Sequence, residues 1–231
     1  MTSDSAPVAA IVVAAGSGSR LGHPIPKALV ELCGVPIVRR AVDALVEGGV
    51  QRVVVVAPAS HLHEFRTILD GVPAPLVVVP GGVERQDSVR LGLDALGEAS
   101  VVLVHDAARP LVPARVVGDV VRAVRDGARA VIPVLPVVDT VRRETTGGSS
   151  IVDRDELRAV QTPQGFDGAL LREAHRNAVE CALTVTDDAS ACEALGEPIA
   201  FVPGDREALK ITEPFDLLVA EAIVGARRQR T

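Results

Sequence analysis

The chain has 231 residues, of which 48% are hydrophobic and only 2% aromatic, and its formal net charge is −6. This length suits one α/β domain or a domain with a small appendage. The acidic balance and the scarcity of aromatic rings argue against nucleic-acid binding. We therefore expect no nucleic-acid partner, and an anionic ligand would have to be held by a few placed cations.

The apolar N-terminal run, residues 6–16, does not predict secretion or membrane insertion. Asp4 precedes it, no Lys or Arg does, and glycines follow it instead of a cleavage site. No apolar run approaches the ~20 residues that span a bilayer, so we expect no membrane partner. The cysteines are odd in number and lack C-x-x-C spacing, which is typical of buried free thiols in a reducing cytoplasm: Cys33, Cys181 and Cys192.

A buried strand followed by a glycine-rich loop begins the chain. Residues 8–14 are apolar throughout, as in a parallel strand that is covered on both faces. Glycines let main-chain N–H groups approach an anion closely. The loop combines three of them with two cations: Gly16, Gly18, Gly22, Arg20 and Lys27. The spacing fits neither the dinucleotide fingerprint nor the P-loop. The pairing of Arg20 with Lys27 beside two prolines, which stiffen the run into the lysine, nevertheless favours a polyphosphate site over a plain surface turn.

Strands and helices then alternate as far as residue 135. The predicted strands are 53–57, 76–80, 101–104 and 130–135. The predicted helices are 36–47, 60–69, one that ends near Leu96, and 113–126. Such alternation gives right-handed crossovers and a mostly parallel sheet.

The alternation breaks at Pro136. Two stretches with a strand pattern, 137–144 and 151–160, flank a turn of Thr, Gly and Ser, which predicts a long hairpin. A hairpin alone is marginal in water, so residues 136–160 must pack on something. We expect an arm that embraces a second subunit; a hairpin folded onto its own domain is the alternative.

The remaining sequence predicts more of the same domain and no second one, so residues 1–231 are taken as a single unit. Helices are predicted over 168–181, up to 195, and over 214–226 with Thr212 as the cap. Short strands are predicted over 199–203 and 208–211.

Three predicted strand ends carry unusual residues, and in open α/β sheets ligands bind beyond the carboxyl ends of the strands. They are the loop that reaches Lys27, the turn Gly81-Gly82, and the run that begins His105-Asp106. Glycine turns at two strands taken as neighbours predict a nucleotide lying across them.

The carboxylate at the third strand end is a candidate metal ligand. Asp106 could hold a Mg²⁺ ion that keeps most of its waters and sits chiefly on phosphate oxygens. A salt bridge or turn cap with Arg109 is the alternative. His105 has no partner at metal-ligand spacing and is interpreted as structural.

The motifs, taken together, resemble those of a known family. The first loop, with Pro26-Lys27, is similar to the signature of nucleotidyltransferases that activate sugars and alcohols. Further motifs narrow the resemblance to the 2-C-methyl-D-erythritol 4-phosphate cytidylyltransferases of the non-mevalonate isoprenoid pathway. They are Gly81-Gly-x-x-Arg85-x-x-Ser88, His105-Asp-Ala-Ala-Arg-Pro110, Asp139-Thr140, Val152-Asp-Arg154, Thr162-Pro-Gln164, Thr186-Asp-Asp-Ala-Ser190 and Lys210-Ile-Thr212. The resemblance covers nearly the whole chain.

This resemblance implies a Rossmann-like fold with helices on both faces of the sheet, a homodimer formed through the arm, CTP as co-substrate, and Mg²⁺ or another divalent cation. Arg20 and Lys27 would stabilise the transition state, and Arg154 and Lys210 would position the methylerythritol phosphate. The acceptor site would be lined by Asp106, Arg109, Thr140, Thr162 and Thr186. CTP would be held by Ala14, Ala15, Gly16, Gly18, Gly82, Ser88, Asp106 and Ala107.

Two positions depart from the family pattern. Val83 stands where some members carry an acidic residue, and Ala208 replaces an asparagine, which would loosen the edge of the strand expected there. Two other functions stay open: a sibling enzyme that cytidylylates ribitol 5-phosphate, and a nucleotide-binding regulator without catalysis. The retained cations argue against the regulator, and the glycine spacing argues against an NAD-dependent oxidoreductase.

Overall fold

The computed structural model describes residues 7–16 and 25–229. Gly18, Arg20 and Gly22 therefore lie outside the described residues. Within these ranges no helix is long and apolar enough to cross a membrane.

The strands and helices alternate as predicted over the first part of the chain. The strands are β1 Val8–Val13, β2 Glu31–Leu32, β3 Val35–Pro36, β4 Arg52–Ala57, β5 Leu76–Pro80, β6 Val101–Asp106, β7 Ala130–Pro136, β8 Val141–Thr145, β9 Gly148–Val152, β10 Arg158–Val160, β11 Gln164–Asp167 and β12 Ala200–Pro203. The helices are α1 Ile37–Glu47, α2 Leu62–Leu69, α3 Arg85–Leu96, α4 Ala114–Arg125, α5 Gly168–Glu180, α6 Asp188–Glu193 and α7 Pro214–Arg228.

The main sheet runs in the order β10-β7-β11-β6-β1-β4-β5, with β12 also paired to β7. The pairs β1–β4, β1–β6, β4–β5 and β7–β12 are parallel. The carboxyl ends of β1, β4, β5 and β6 therefore meet at one edge, as a mostly parallel sheet requires.

Two hydrophobic layers cover the sheet, because successive residues of a strand point to opposite faces. Ala10 and Val12 of β1 pack with α1, α2 and α4, whereas Ala9 and Ile11 pack with α3, α5 and α6. The prediction of helices on both faces is confirmed. A smaller cluster joins α7 to β2 and to the start of α1.

The predicted long hairpin has different boundaries. Its paired part is β8 and β9, a two-stranded sheet of its own over residues 141–152. Asp153 then accepts a hydrogen bond from the amide of Asp155 and caps a 3-10 turn, which interrupts the second strand. β10 returns to the main sheet and pairs antiparallel with β7. Residues 136–160 thus combine an exposed hairpin with a strand of the main sheet.

Strand β11 has no counterpart among the predicted elements. It lies antiparallel between β6 and β7. Its second residue is Gly165, a poor strand former, but a Cβ there would come within 2.3 Å of a methyl carbon of Val120. Close packing by α4 therefore explains a glycine whose propensity alone predicts a loop.

Residues 208–211 do not form the predicted strand. A 3-10 turn, Arg206–Ala208, occupies the start of that stretch, and Ala208 is completely buried. Ala208 therefore packs in the core, and there is no strand edge at this position for it to loosen. The predicted cap of the last helix is also corrected: Glu213 is the N-cap of α7, paired with Asp216 in a capping box.

Candidate active site

A cavity of about 220 Å³ opens where β1, β5 and β6 end. It therefore collects the three strand ends that the sequence singled out, and two lysines that are far apart in the chain, Lys27 and Lys210, both line it. The full set of lining residues is Val13, Ala14, Ala15, Gly16, Lys27, Ala28, Gly82, Val83, Glu84, Arg85, Ser88, Asp106, Ala107, Ala108 and Lys210.

Strand β4 lies between β1 and β5 in the sheet, so these two strands are not neighbours. The loops that follow them nevertheless approach each other. The expectation of two adjacent strand ends was wrong in this respect. A Cβ at Gly81 would lie 2.4 Å from the Cβ of Ala15, so glycine is required for the two loops to meet across the end of β4. At Gly16 a Cβ would meet none of the described atoms within 4 Å.

The second glycine turn is fixed by the start of α3. The amide of Gly82 donates to the hydroxyl of Ser88 over 3.2 Å, and Ser88 is buried. Glu84 and Asp87 form a capping box at the same helix end. These bonds hold the turn in place, and Ser88 still has its hydroxyl proton to donate to a ligand.

Asp106 is the electrostatic centre of the cavity. Lys210 Nζ lies 2.8 Å from its Oδ2, and Arg85 Nε lies 3.7 Å from its Oδ1. Burial would raise the pKa of this carboxyl, but the charges of Lys210 and Arg85 outweigh burial and lower it to about 2. Asp106 is therefore a carboxylate at any physiological pH. Among the described residues its ion pairs are with these two cations and not with Arg109.

A chain of hydrogen bonds fixes the backbone beneath Asp106. His105 is fully buried, and burial lowers its pKa to about 4, so its ring is neutral at neutral pH. The carbonyl of Arg109 can only accept, so His105 Nε2–H donates to it and Nδ1 accepts from the hydroxyl of Thr162. That hydroxyl accepts from the amide of Asp106. The structural interpretation of His105 is confirmed.

The segment that carries Lys210 is tied to the same turn. The amide of Ile211 donates to the carbonyl of Ala108 over 2.8 Å, and Arg109 Nη1 donates to the carbonyl of Ala208 over 2.8 Å. Lys210 therefore sits between two long-range hydrogen bonds, which explains how a residue near the end of the chain reaches Asp106.

Sequence reasoning assigned Arg85 no role, although it lines the cavity. Its Nη2 lies 2.7 Å from the buried Asp188, while its Nε faces Asp106. The only signal in the sequence was its place in the motif Gly81-Gly-x-x-Arg85. A third described cation thus lines the cavity with Lys27 and Lys210.

The sequence model of one protein family, described as 2-C-methyl-D-erythritol 4-phosphate cytidylyltransferase, matches residues 8–226. Two relatives of that name are each 48% identical to this chain. The match to the Streptomyces coelicolor protein covers 95% of this chain and 86% of the relative, and the match to the Rhodococcus jostii protein covers 97% and 98%. The chain belongs to this family.

Solved structures agree. The 2-C-methyl-D-erythritol 4-phosphate cytidylyltransferase of Thermus thermophilus is 37% identical with a TM-score of 0.78, over 94% of this chain and 98% of that one. The 4-diphosphocytidyl-2C-methyl-D-erythritol synthase of Anaerococcus prevotii is 26% identical with a TM-score of 0.86, over 96% and 97%. This cytidylyltransferase is therefore a nucleotidyltransferase of isoprenoid precursor synthesis, with the α/β fold of those structures.

Some residues with roles implied by the family are not among the residues that line the cavity. Arg154 is exposed in the 3-10 turn after β9, and its Nη1 donates to the carbonyl of Val138 over 2.6 Å. Arg109 donates to the carbonyls of Ala208 and Val160. Of the three threonines expected at the acceptor site, Thr140 and Thr186 are exposed, whereas Thr162 is buried against His105. Their roles toward the acceptor stay predictions, as does that of Arg20, which lies outside the described residues.

The cysteines differ from the expectation of buried thiols. All three are free, but only Cys192 is buried; Cys33 is half-buried and Cys181 is exposed. Burial raises the pKa of the Cys192 thiol to about 12, so that thiol is inert.

Proposed function

We propose that the cavity binds CTP and that the enzyme joins 2-C-methyl-D-erythritol 4-phosphate to it. A phosphate oxygen of the acceptor forms a bond to the α-phosphorus of CTP, and the bond from that phosphorus to the bridging oxygen of the β-phosphate breaks. The products are 4-diphosphocytidyl-2-C-methyl-D-erythritol and pyrophosphate. The observation that carries this proposal is the meeting of Lys27, Lys210 and Arg85 around one cavity at the strand ends.

The acceptor needs no general base. The second pKa of a phosphate monoester is about 6, so its oxygen is already largely ionised at neutral pH. The obstacle is instead the repulsion between two anions and the charge that builds up around phosphorus. Fixed cations and in-line positioning meet that demand. His105, the histidine next to Asp106 in the chain, is committed to Thr162 and Arg109 and is not available as a base.

Lys27 and Lys210 are proposed to do different work. Lys27 follows Pro26 at the start of a 3-10 turn, Lys27–Leu29, and lines the cavity with Gly16 of the loop after β1. This position supports our proposal that Lys27 lies near the nucleotide phosphates and stabilises the transition state together with Arg20. Lys210 is about half exposed, lines the cavity and pairs with Asp106. From there it is proposed to position the phosphate of the acceptor.

A divalent cation fits the cavity only as a nucleotide-bound ion. In the described ranges no group of three or more His, Cys, Asp or Glu side chains is placed to hold a metal. Mg²⁺ does not need such a cage, because it commonly binds through one or two carboxylates and substrate phosphates. Asp106, ionised and lining the cavity, is the residue that would hold it, and the ion would neutralise phosphate charge in the transition state.

We further propose a homodimer through residues 136–160. The hairpin β8–β9 is exposed along nearly its whole length, including Ile151 at 69% exposure, and a two-stranded sheet is marginal alone. A second subunit would cover it and would bring Arg154 to the neighbouring cavity. Free cysteines favour a reducing compartment, so we place the enzyme in the cytoplasm.

One assay tests the activity and its specificity. Pyrophosphate release is measured with each of the four nucleoside triphosphates, against methylerythritol 4-phosphate and ribitol 5-phosphate, with and without Mg²⁺. We expect release with CTP, methylerythritol phosphate and Mg²⁺ together. Faster release with ribitol phosphate would overturn the substrate, and binding of CTP without any release would indicate a regulator.

A further inference from the structure

Asp188 is a deeply buried carboxylate near the cavity, and the proposed reaction gives it no task. It is 1% exposed, and in the described part of the chain its carboxylate pairs with two residues: Arg85 Nη2 lies 2.7 Å from its Oδ2, and His175 Nε2 lies 3.0 Å from its Oδ1. It is the first residue of α6, which packs against α5. Arg85 belongs to α3 and His175 to α5, so the packing of three helices fixes the contacts of Asp188.

Two carboxylates compete for the guanidinium of Arg85. The bond to Asp188 is short and charge-assisted, whereas the distance of 3.7 Å from Nε to Asp106 Oδ1 is beyond hydrogen-bond range. The other oxygen of Asp106, Oδ2, is engaged by Lys210 at 2.8 Å. Arg85 thus neutralises Asp106 from a distance without occupying its Oδ1.

His175 supports this arrangement. It is buried, and its Nδ1 has no partner among the described residues. A buried N–H without an acceptor is costly, so the tautomer with hydrogen on Nε2, donated to Asp188, is favoured. Burial would raise the pKa of Asp188, but the hydrogen bond from His175 and the charge of Arg85 keep that pKa below its ordinary value. Asp188 is thus a permanent anion that anchors Arg85.

We propose that Asp188, backed by His175, is a positioning residue that holds Arg85 back from Asp106 and so leaves Oδ1 of Asp106 open to the divalent cation. This inference rests on the proposed function, because it assumes that nucleotide-bound metal meets Asp106. Without a carboxylate at position 188, the other described ion-pair partner of Arg85 is Asp106. The guanidinium would then close on Oδ1 and compete with the metal.

The test is Asp188→Asn, compared with the wild type and with the double variant Arg85→Gln/Asp188→Asn. Binding of Mn²⁺ in the presence of CTP is followed by electron paramagnetic resonance, and the Mn²⁺ concentration for half-maximal pyrophosphate release is measured in parallel. Loss of a residue that orients a metal ligand typically weakens metal affinity by about tenfold or more, which is the effect expected for Asp188→Asn. The double variant should bind Mn²⁺ more tightly than Asp188→Asn, since the competing cation is gone.

Arg90→Gln is the matched control, because Arg90 lies on the same helix but is exposed and pairs with Asp87. It should leave Mn²⁺ binding unchanged. Melting temperatures of all variants separate folding from metal binding. If Asp188→Asn lowers the melting temperature while its Mn²⁺ affinity stays at the wild-type value, Asp188 is merely structural and the proposal fails. It fails equally if the double variant binds Mn²⁺ no better than Asp188→Asn. Wild-type enzyme that binds no Mn²⁺ with CTP would overturn the metal role itself.

Discussion

The edge of the cavity and the hairpin β8–β9 are built in opposite ways. At the cavity, hydrogen bonds join residues far apart in the chain, such as Asp106 with Thr162 and Arg85 with Asp188. In the hairpin the contacts are local, as between Arg142 and Ser149, and nearly all side chains are exposed. The described part of the first region is therefore held together by contacts within one chain. The second has a defined backbone pairing and an exposed surface on both faces, which is why contact with a second subunit is a proposal for this region.

The largest expected effect is the loss of activity when a cation of the cavity is removed. Lys27→Ala should lower kcat by ~10²-fold or more, because a fixed charge that acts in the transition state is lost. The KM for CTP should change only several-fold. Steady-state kinetics at saturating acceptor separate the two. Equal losses in kcat and in CTP affinity would refute the role in the transition state.

Lys210 should affect the other substrate. Lys210→Ala is expected to raise the KM for methylerythritol phosphate about tenfold or more, since a charge-assisted bond to phosphate is worth roughly 1.5–3 kcal/mol. The KM for each substrate is measured by varying its concentration while the other substrate is saturating. A change confined to CTP affinity would assign Lys210 to the nucleotide instead.

Glycine substitutions compare the two regions directly. At Gly81 a Cβ would fall 2.4 Å from that of Ala15, so Gly81→Ala should push the two loops apart and weaken CTP binding about tenfold. Gly147→Ala in the hairpin turn is the control, because a Cβ there meets no atom of the described residues within 4 Å. Calorimetric CTP titration of both variants is the measurement. Similar affinities for the two would show that the close approach of the loops does not shape the site.

The burial of His105 beneath Asp106 predicts a pH-dependent effect on stability, not on catalysis. The pKa of His105 is about 4 in the folded enzyme, against an ordinary value of 6.5, so only the unfolded chain takes up this proton between those values. This group should therefore lower the free energy of unfolding by up to about 3 kcal/mol as the pH falls through that window. NMR titration of the His105 ring measures its pKa. A pKa at the ordinary value of 6.5 would contradict the conclusion that the ring is buried and neutral.

The sequence predicted the cavity better than it predicted the strands around it. The loop that ends at Lys27, the Gly81-Gly82 turn and Asp106 were found because glycine and charge at strand ends have direct chemical meaning. β11 was missed because Gly165 has no strand propensity, and only the approach of α4 explains it. The end of the hairpin was misplaced because the cap made by Asp153 is a local device within a strand-like pattern.

Arg85 shows the other limit. Its spacing in the motif was visible, but its role depends on Asp188, a residue 103 positions away that the fold brings within 2.7 Å. No pattern within one segment indicates such a pair. The same limit applies to Arg154, whose partner is expected on another subunit.

The most direct test of the account is therefore complementation between subunits. The Lys27→Ala and Arg154→Ala enzymes, each expected to have little activity alone, are unfolded together and refolded as a mixture. If Arg154 of one subunit completes the cavity that holds Lys27 of the other, about half of the dimers are mixed and each has one intact site, so about a quarter of wild-type activity should return. If the mixture of dimers forms and no activity returns, the cations do not meet across the interface, and the central claim is wrong.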